Sequence, residues 1–400
     1  MHSLFQINTT CNRGSTGRIA EMIGQAAKEN DYDCYLAYGR YHQPSELNVV
    51  KVGSRLSIYT HFVFSRLFDA HGLLSRRATS KLIKTIKDID PSIIHLHNIH
   101  GYYLNYPLLF KYLSECKSQI VWTLHDCWPI TGHCSHFDYL GCDRWKKGCG
   151  NCPGLSVYPK SVFIDRSRRN YVLKRDLFRS VLDRLTIVPV SEWLGSIVKN
   201  SFLGDARIKV IHNGVDTSVF NIKTDKYPGL DPKKKTILGV ASVWNDRKGL
   251  NDFFDLSSFL GHSYQVFLVG LSESQMKKLP KNIMGIRRTE SVEELAVLYS
   301  NADVFVNPTY EDSFPTTNIE ALACGTPVVT YSTGGSVEAV SSDTGIVVPK
   351  GDLEELKQAI VKICGNGKDQ YISACRERAV SLYDMRDRFQ EYIELYNSLI

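Results

Sequence analysis

Short apolar runs alternate with longer segments of helical periodicity in the first half of the chain. The apolar runs predict strands at residues 3–8, 34–38, 92–96 and 119–124, and the helical spacing predicts helices at 17–29, 80–89 and 108–116. Strands that alternate with helices are typical of a parallel sheet covered by helices. The first half therefore predicts one α/β unit.

A second unit of the same kind follows a polar, lysine-rich stretch at residues 221–235. It begins with an apolar strand at 236–241, and a later Ser291-Val-Glu-Glu294 capping box opens a further helix. We therefore predict an α/β fold of two Rossmann-like domains, the first at residues 1–222 and the second at 223–380.

Composition and charge narrow the class of protein. With 400 residues and 43% hydrophobic content, the chain can bury a core in each of two domains. A net charge of +6 without an arginine-rich arm is compatible with anionic nucleotides or a lipid surface, and disfavours nucleic acid. There is no run of about 18 apolar residues, and residues 1–8 lack the features of a signal peptide. These features predict a cytoplasmic protein.

Residues 302–324 combine a buried strand, a tight turn and the start of a helix, with Asp312 and Glu320 on either side of the turn. Free N–H groups at a helix start favour a phosphate, and a carboxylate one turn into the helix can accept hydrogen bonds from ribose hydroxyls. This combination indicates a nucleotide-linked ligand. The alternative is that Asp312 caps the helix and Glu320 is a surface charge.

The stretch Asp312-Ser-Phe-Pro-Thr-Thr-Asn-Ile-Glu320 resembles the E-x7-E motif of the family 4 glycosyltransferases, with Asp in place of the first Glu. The resemblance implies that Glu320 holds the ribose and that Asp312 contacts the transferred sugar. Glu311 is one residue out of register and ranks below Asp312. The family also implies a GT-B fold, in which two Rossmann-like domains face each other across a cleft and a C-terminal helix, here residues 381–400, packs back on the first domain.

Residues 242–250 resemble the family's pyrophosphate clamp. Lys248 matches the clamp lysine, whereas Arg247 lies beside it instead of about five residues before it. Two cations can neutralise the charge on a departing diphosphate, so we expect no catalytic metal. The alternative is a solvated basic turn. The resemblance adds donor-binding residues at the start of the helix, namely Phe314, Pro315, Thr316 and Thr317.

Two further candidates lie in the first domain. Gly14 and Gly17 belong to a glycine-containing loop between a strand and a helix, where the backbone can approach a ligand, although a simple turn explains the loop as well. His125 ends a strand, where α/β sheets place their ligands. The resemblance implies that the loop with Gly14 and Gly17 contacts the donor phosphate or the acceptor, and that His125 faces the donor sugar. A structural histidine is the alternative for His125.

Five of the eleven cysteines lie within residues 127–153. Cys149 and Cys152 have the spacing of a metal knuckle, and Cys134 and Cys142 could complete a structural zinc site. Reduced thiols and redox disulfides are the alternatives. The segment has too few basic and aromatic residues for a nucleic-acid zinc module. It also resembles the subgroup of family 4 enzymes of colanic acid and related polysaccharide biosynthesis.

Together the resemblances imply a retaining, metal-independent hexosyl- or deoxyhexosyltransferase. It would move a sugar from a nucleotide-diphosphate donor to a growing, lipid-linked bacterial polysaccharide, with room for a peripheral contact on the inner face of the membrane. The alternative is a catalytically weak or inactive protein of the same fold that binds nucleotide sugars or glycans. The sequence leaves open the donor base, the sugar, the acceptor, the linkage and the oligomeric state.

Overall fold

The computed structural model describes residues 2–400 as two compact units. One unit contains the residues up to His212 together with Phe389–Ile400, and the other contains Asn213–Arg388. Each unit is built on one parallel sheet, and helices connect most successive strands. The predicted α/β class with two Rossmann-like domains is confirmed.

The sheet of the first unit has seven strands. In chain order the strands are β1 (Ser3–Asn8), β2 (Asp33–Tyr38), β3 (Asn48–Lys51), β4 (Ile93–Leu96), β5 (Gln119–Leu124), β6 (Leu185–Pro189) and β7 (Arg207–Ile208). The helices are α1 (Gly14–Glu29), α2 (Arg55–Phe68), α3 (Arg76–Ile89), α4 (Tyr106–Glu115), α5 (Ser167–Arg179) and α6 (Glu192–Lys199). The strand order across the sheet is β3-β2-β1-β4-β5-β6-β7, and all neighbours are parallel.

The sheet of the second unit has six strands. They are β8 (Lys235–Val240), β9 (Tyr264–Val269), β10 (Ile283–Ile286), β11 (Val304–Asn307), β12 (Val328–Tyr331) and β13 (Gly345–Val348). The helices are α7 (Leu250–Phe259), α8 (Glu273–Met276), α9 (Val292–Asn301), α10 (Thr316–Ala323), α11 (Leu353–Asn366), α12 (Ile372–Tyr383) and α13 (Met385–Leu399). No helix within residues 2–400 is long and apolar enough to cross a bilayer.

In both sheets the strand order reverses next to the first strand of the unit. The reversal lies between β1 and β4 in the first unit and between β8 and β11 in the second, where the order is β10-β9-β8-β11-β12-β13. Open α/β sheets bind ligands at such a switch point, beyond the carboxyl ends of the strands, because the loops there diverge and leave a crevice. The topology therefore makes the loops after β8 and β11 candidates for a ligand-binding site.

Residues 213–222 belong to the second unit, although the sequence placed them in the first. Val215 N–H donates to Tyr383 O at 2.9 Å, and Met385 N–H donates to Val215 O at 3.0 Å. The Arg376 guanidinium also donates to the carbonyl of Phe220 at 2.8 Å. These hydrogen bonds join segments that are far apart in the sequence. The polar, lysine-rich composition of residues 221–235 therefore does not mark the boundary between the two units.

The C-terminal part of α13 completes the first unit. Tyr396 Oη lies 2.7 Å from His95 Nδ1, and Tyr392 Oη lies 3.1 Å from Thr123 Oγ1. All four side chains are buried. Because buried polar groups need partners, these hydrogen bonds fix the helix against β4 and β5 in one register.

A buried histidine on the inner face of α2 makes stability depend on pH. Gly72 N–H donates to His61 Nε2 at 3.1 Å, and His61 Nδ1 lies 2.8 Å from Ser75 Oγ. Burial lowers the pKa of His61 to about 4. The unfolded chain therefore takes up this proton first, so the stabilisation is complete above about pH 6.5 and is lost as the pH falls towards 4.

We predict that the free energy of unfolding decreases between pH 7 and pH 5, and that the decrease is smaller in His61→Gln. Urea unfolding at several pH values measures both slopes. Identical slopes for the variant and the unsubstituted protein would contradict the assignment.

Candidate functional site

The loops after β8 and β11 are in direct contact in the second unit. A short 3-10 helix, Asp246–Lys248, begins at Asn245, whose side chain accepts from Lys248 N–H at 3.0 Å. Gly249 follows with a φ of +72°, and a Cβ placed there would lie 2.3 Å from Pro308 O. Only glycine tolerates both this conformation and this approach. Gly249 thus fixes the two preceding cations beside the β11 loop.

Two adjacent cations meet two adjacent carboxylates at this contact. Arg247 Nη1 lies 2.9 Å from Glu311 Oε1, and Lys248 Nζ pairs with Asp312 Oδ2. The Glu311 carboxylate is 3% exposed, whereas Lys248 and Asp312 remain partly exposed. Glu311 therefore holds Arg247 in place, and the Lys248–Asp312 pair is the more accessible to a ligand. The sequence ranked Glu311 as a lesser ligand contact and missed its positioning role.

The start of α10 leaves N–H groups without a side-chain cap. Pro315 occupies the N-cap position and gives no cap hydrogen bond, while Thr316 and Thr317 are half-buried in the first turn. Phe314 N–H donates to Asp312 Oδ1 at 3.2 Å, and the side chains of Phe314 and Pro315 are buried. Of the four residues predicted to bind the donor, Thr316 and Thr317 therefore lie at the accessible start of the helix. Phe314 instead serves to orient Asp312.

Glu320 lies further along α10. Its Oε2 accepts a hydrogen bond from Tyr299 Oη at 3.0 Å, and Tyr299 is fully buried. Burial, reinforced by the Glu320 charge, raises the pKa of Tyr299 well above its usual value, so the phenol stays a donor. This bond orients the carboxylate. The sequence analysis assigned Tyr299 no role at the site, because its spacing to Glu320 matches no known motif.

A buried amide network fixes α10 to the sheet. Asn307 Nδ2–H donates to Asn318 Oδ1 at 2.8 Å, and Asn318 Nδ2–H donates to Ser336 O and Oγ at 3.1 and 3.0 Å. Thr330 Oγ1–H donates to Asn307 O at 2.8 Å. The network sets where the helix start and Glu320 lie relative to β11 and β12. Sequence reasoning missed it; the cue was an asparagine at the end of a buried strand.

The glycine pair after β12 supports the backbone of Asp312. Gly335 N–H donates to Asp312 O at 3.1 Å. A Cβ on Gly334, whose φ is +51°, would lie 1.9 Å from the same oxygen. These two glycines thus position one of the candidate carboxylates.

The two glycines predicted in the first unit have different surroundings. Gly14 begins α1 with a φ of +69°, and its Cβ position has no neighbour within 4 Å. A Cβ on Gly17 would lie 2.5 Å from Thr10 Oγ1. Gly14 therefore leaves room for a ligand, whereas Gly17 permits close packing of the helix on the loop before it.

His125 lies at the carboxyl end of β5 in a chain of hydrogen bonds. Gln6 Nε2–H donates to Ala20 O, so Gln6 Oε1 accepts from His97 Nε2–H, both at 2.9 Å. His97 Nδ1 then accepts from His125 Nε2–H at 3.3 Å, which leaves the lone pair of His125 on Nδ1. Burial, opposed by the Asp126 charge, lowers the pKa of His125 to about 4. His125 is therefore a neutral hydrogen-bonding group at neutral pH.

A buried pair of a histidine and an aspartate lies beside His125. His100 Nε2 is 2.9 Å from Asp126 Oδ2, and His100 Nδ1 is 3.1 Å from Tyr158 Oη. Burial alone would raise the pKa of Asp126, but His100 outweighs it and the pKa falls to about 2. The sequence analysis assigned no functional role to His100 or Asp126, because the two residues lie in the loops after different strands.

The four cysteines predicted as zinc ligands, Cys134, Cys142, Cys149 and Cys152, line one small cavity in the first unit. A hydrogen bond from Cys134 lowers the pKa of Cys152 to about 7. Gly132 N–H donates to Cys149 Sγ at 3.2 Å. Over the described residues 2–400, however, no three His, Cys, Asp or Glu side chains are arranged to hold a metal ion. The thiols are brought together, and the structural zinc stays a prediction.

Comparisons with known sequences identify one class of enzyme, the glycosyltransferases. The sequence profile of "Glycosyltransferase Family 4" matches residues 16–219, and that of "Glycosyl transferases group 1" matches residues 234–366. The chain is 24% identical to a putative colanic acid biosynthesis glycosyl transferase, WcaC, of Escherichia coli K12, over 99% of this chain and 100% of that protein. It is 23% identical to the capsular polysaccharide biosynthesis glycosyltransferase CapM of Staphylococcus aureus, over 54% of this chain and 62% of CapM.

Solved structures show the same fold. A sucrose-phosphate synthase from Thermosynechococcus elongatus matches with a TM-score of 0.71 at 18% identity, covering 100% of this chain and 99% of that one. HepE of Anabaena in complex with UDP matches with a TM-score of 0.65 at 14% identity, covering 100% of both chains. The predicted GT-B fold is confirmed.

Gly249→Ala tests whether the loop contact depends on glycine. We expect a loss of about 1–3 kcal/mol of stability, because the residue is held at positive φ against a backbone carbonyl. Gly261→Ala, where nothing lies within 4 Å of the Cβ position, should change stability by less than about 0.5 kcal/mol. Urea unfolding measures both, and equal effects would refute the contact.

Metal analysis of the purified protein tests the zinc prediction. If these cysteines bind zinc, the protein should contain about one zinc per chain, lost in a Cys149→Ser and Cys152→Ser double variant. Cys116→Ser, outside the cavity, should keep the metal. A metal-free protein with reactive thiols would favour the reduced-thiol alternative.

Proposed function

The chain belongs to glycosyltransferase family 4, whose profile covers over half of its 400 residues, and we propose that it transfers a hexose or deoxyhexose from a nucleotide-diphosphate donor to a growing polysaccharide. The matches to colanic acid and capsular polysaccharide glycosyltransferases support this class of product.

The observation that carries the proposal is the pairing of Arg247 and Lys248 with Glu311 and Asp312 beside the helix start of α10. A diphosphate would compete with Asp312 for Lys248, because the pair is accessible and a phosphate carries more charge than a carboxylate. Arg247 would stay oriented by the buried Glu311. Asp312, released from Lys248, would then accept hydrogen bonds from the sugar hydroxyls.

The remaining donor contacts follow from the same helix. The N–H groups of Thr316 and Thr317 would bind a phosphate oxygen at the positive end of the helix dipole. Glu320, oriented by Tyr299, would accept from the ribose hydroxyls. The UDP complex of HepE, which shares the fold, supports a nucleotide ligand of this kind.

The reaction proposed is a same-face displacement with retention of configuration. The bond from the anomeric carbon to the phosphate oxygen breaks, the bond to the acceptor oxygen forms, and the leaving phosphate takes the acceptor proton. Arg247, Lys248 and the helix start would stabilise the charge on the leaving diphosphate, so catalysis rests on positioning and electrostatics without a metal. Neutral His125 would contribute a hydrogen bond to a sugar hydroxyl and no charge.

We propose a lipid-linked glycan as the acceptor, and a peripheral contact of the protein with the membrane that carries it. A relative from Campylobacter jejuni, 26% identical over 42% of this chain, is by name an N-acetylgalactosaminyltransferase acting on a diphospho-undecaprenol-linked sugar. Its match supports this acceptor class.

Calorimetric titration of UDP, GDP, ADP and dTDP tests the donor site. We expect one nucleotide to bind and Glu320→Ala to weaken it about 10-fold or more, since a hydrogen bond to a charged group contributes about 1.5–3 kcal/mol. Glu377→Ala, an exposed glutamate on α12 of the same unit, is the matched control and should bind as the unsubstituted protein does.

Two results would count against the proposal. Binding of no nucleotide, or equal binding by Glu320→Ala, would remove the donor site. Tight binding without transfer of sugar to any lipid-linked or soluble glycan would favour the alternative of an inactive binding protein.

A further inference from the structure

A half-buried carboxylate on α7 connects three segments of the second unit. Asp252 lies in the first turn of α7, three residues after Gly249. Its Oδ2 accepts from Tyr331 Oη at 2.8 Å, and its Oδ1 accepts from Tyr310 Oη at 3.3 Å. Tyr331 ends β12, and Tyr310 belongs to the loop after β11. One side chain thus joins α7 to the carboxyl ends of two strands.

The three side chains form one hydrogen-bonded cluster. The rings of Tyr310 and Tyr331 meet edge to face, with their centroids 5.3 Å apart. Burial raises the pKa of Asp252, and the hydrogen bonds from the two phenols oppose that change. Burial also raises the pKa of Tyr331, and the Asp252 charge raises it further. Tyr331 therefore stays protonated and remains a donor to the carboxylate.

Tyr310 is fixed along its backbone as well as at its ring. Its N–H donates to Arg247 O at 2.8 Å, and its carbonyl accepts from Thr333 Oγ1 at 2.8 Å. The next two residues are Glu311 and Asp312, the carboxylates of the candidate site. The position of Tyr310 therefore determines where this carboxylate pair lies relative to the two cations.

Tyr331 connects the same cluster to the other side of Asp312. The loop that follows Tyr331 contains Gly335, whose N–H donates to Asp312 O at 3.1 Å. Asp312 is thus held by two loops, and Asp252 accepts a hydrogen bond from a tyrosine in or beside each of them. Removal of the Asp252 carboxylate would release both loops at once.

We propose that Asp252 is a positioning residue of the donor site, which acts through Tyr310 and Tyr331 to hold Asp312 against the transferred sugar. The inference rests on the proposed function, because Asp312 contacts a sugar only in a protein that binds a sugar nucleotide. In the proposed bound state a diphosphate displaces Asp312 from Lys248, so this ion pair no longer holds the loop after β11. The hydrogen bonds of Asp252 involve neither cation, and they keep Asp312 in place when the sugar is bound.

The alternative is that the cluster serves only to stabilise the second unit. Buried phenols need hydrogen-bond partners whatever the ligand, so loss of the carboxylate costs stability in either case. The two interpretations differ in their effect on ligands. A purely stabilising cluster affects a bare nucleoside diphosphate and a sugar nucleotide alike. A positioning residue affects the sugar nucleotide more, because only that ligand reaches Asp312.

Calorimetric titration of the full chain with matched ligands tests the proposal. UDP, GDP, ADP and dTDP are each compared with the corresponding glucose, galactose, mannose and fucose esters, and the variants are titrated with the pair that the unsubstituted protein binds. We expect Tyr310→Phe and Asp252→Ala to weaken binding of the sugar nucleotide at least about 10-fold, and that of the bare diphosphate less than about 3-fold. Asp252→Asn keeps an amide that can bond both phenols, so both affinities should stay within about 3-fold of the unsubstituted protein.

Tyr227→Phe is the matched control. It removes another phenol that donates to a carboxylate of the second unit, that of Glu294, at 3.0 Å. This variant should bind both ligands as the unsubstituted protein does. Urea unfolding of every variant measures the loss of stability separately, and the titrations are made at a temperature at which all variants are folded.

Equal weakening of both ligands by Asp252→Ala and Tyr310→Phe, or no weakening of either, would overturn the proposal. So would a loss of sugar-nucleotide binding in Asp252→Asn as large as that in Asp252→Ala, because the effect would then follow the charge and not the hydrogen bonds. Failure of the proposed function gives a different result, since the unsubstituted protein would then bind neither a bare diphosphate nor its sugar ester.

Discussion

The placement of Gly249 against Pro308 is the constraint on which the proposed donor site depends. It brings the loop after β8 onto the loop after β11, and so sets two neighbouring cations against two neighbouring carboxylates. In one pair the carboxylate of Glu311 is buried and holds Arg247 in place, whereas both members of the Lys248–Asp312 pair are partly exposed and can exchange partners. A site that already contains its counter-charges would bind a diphosphate by substitution, so that the cations would stay paired in both states.

Much of the fold was predictable because its signals are local. The periodicity of the hydrophobic residues identifies alternating strands and helices, and the spacing of Asp312 and Glu320 identifies a candidate nucleotide site. The same locality explains what was missed. The fold brings Glu311 to Arg247 and Tyr299 to Glu320. Neither pair has a sequence spacing from which the contact could be predicted.

The orientation of α2 could not be predicted from the sequence for a related reason. The α2 segment is rich in apolar residues and reads as an ordinary core helix until the inward positions are known to be His61 and Ser65. The boundary between the two units was missed for the same reason. The backbone hydrogen bond between Val215 and Tyr383 joins residues 213–222 to the second unit, whereas composition placed them in the first. Both features depend on which residues face each other across long separations in the chain.

The bonding of α13 to the first unit has a consequence for the order of folding. The unit that is synthesised first obtains this helix only after the second unit has been made, because Tyr392 and Tyr396 follow that unit in the sequence and reach β5 and β4 across it. While the ribosome is still translating the second unit, His95 and Thr123 lack their tyrosine partners. Synthesis of α13 thus precedes closure of the N-terminal core, which couples the maturation of one unit to the successful synthesis of the other.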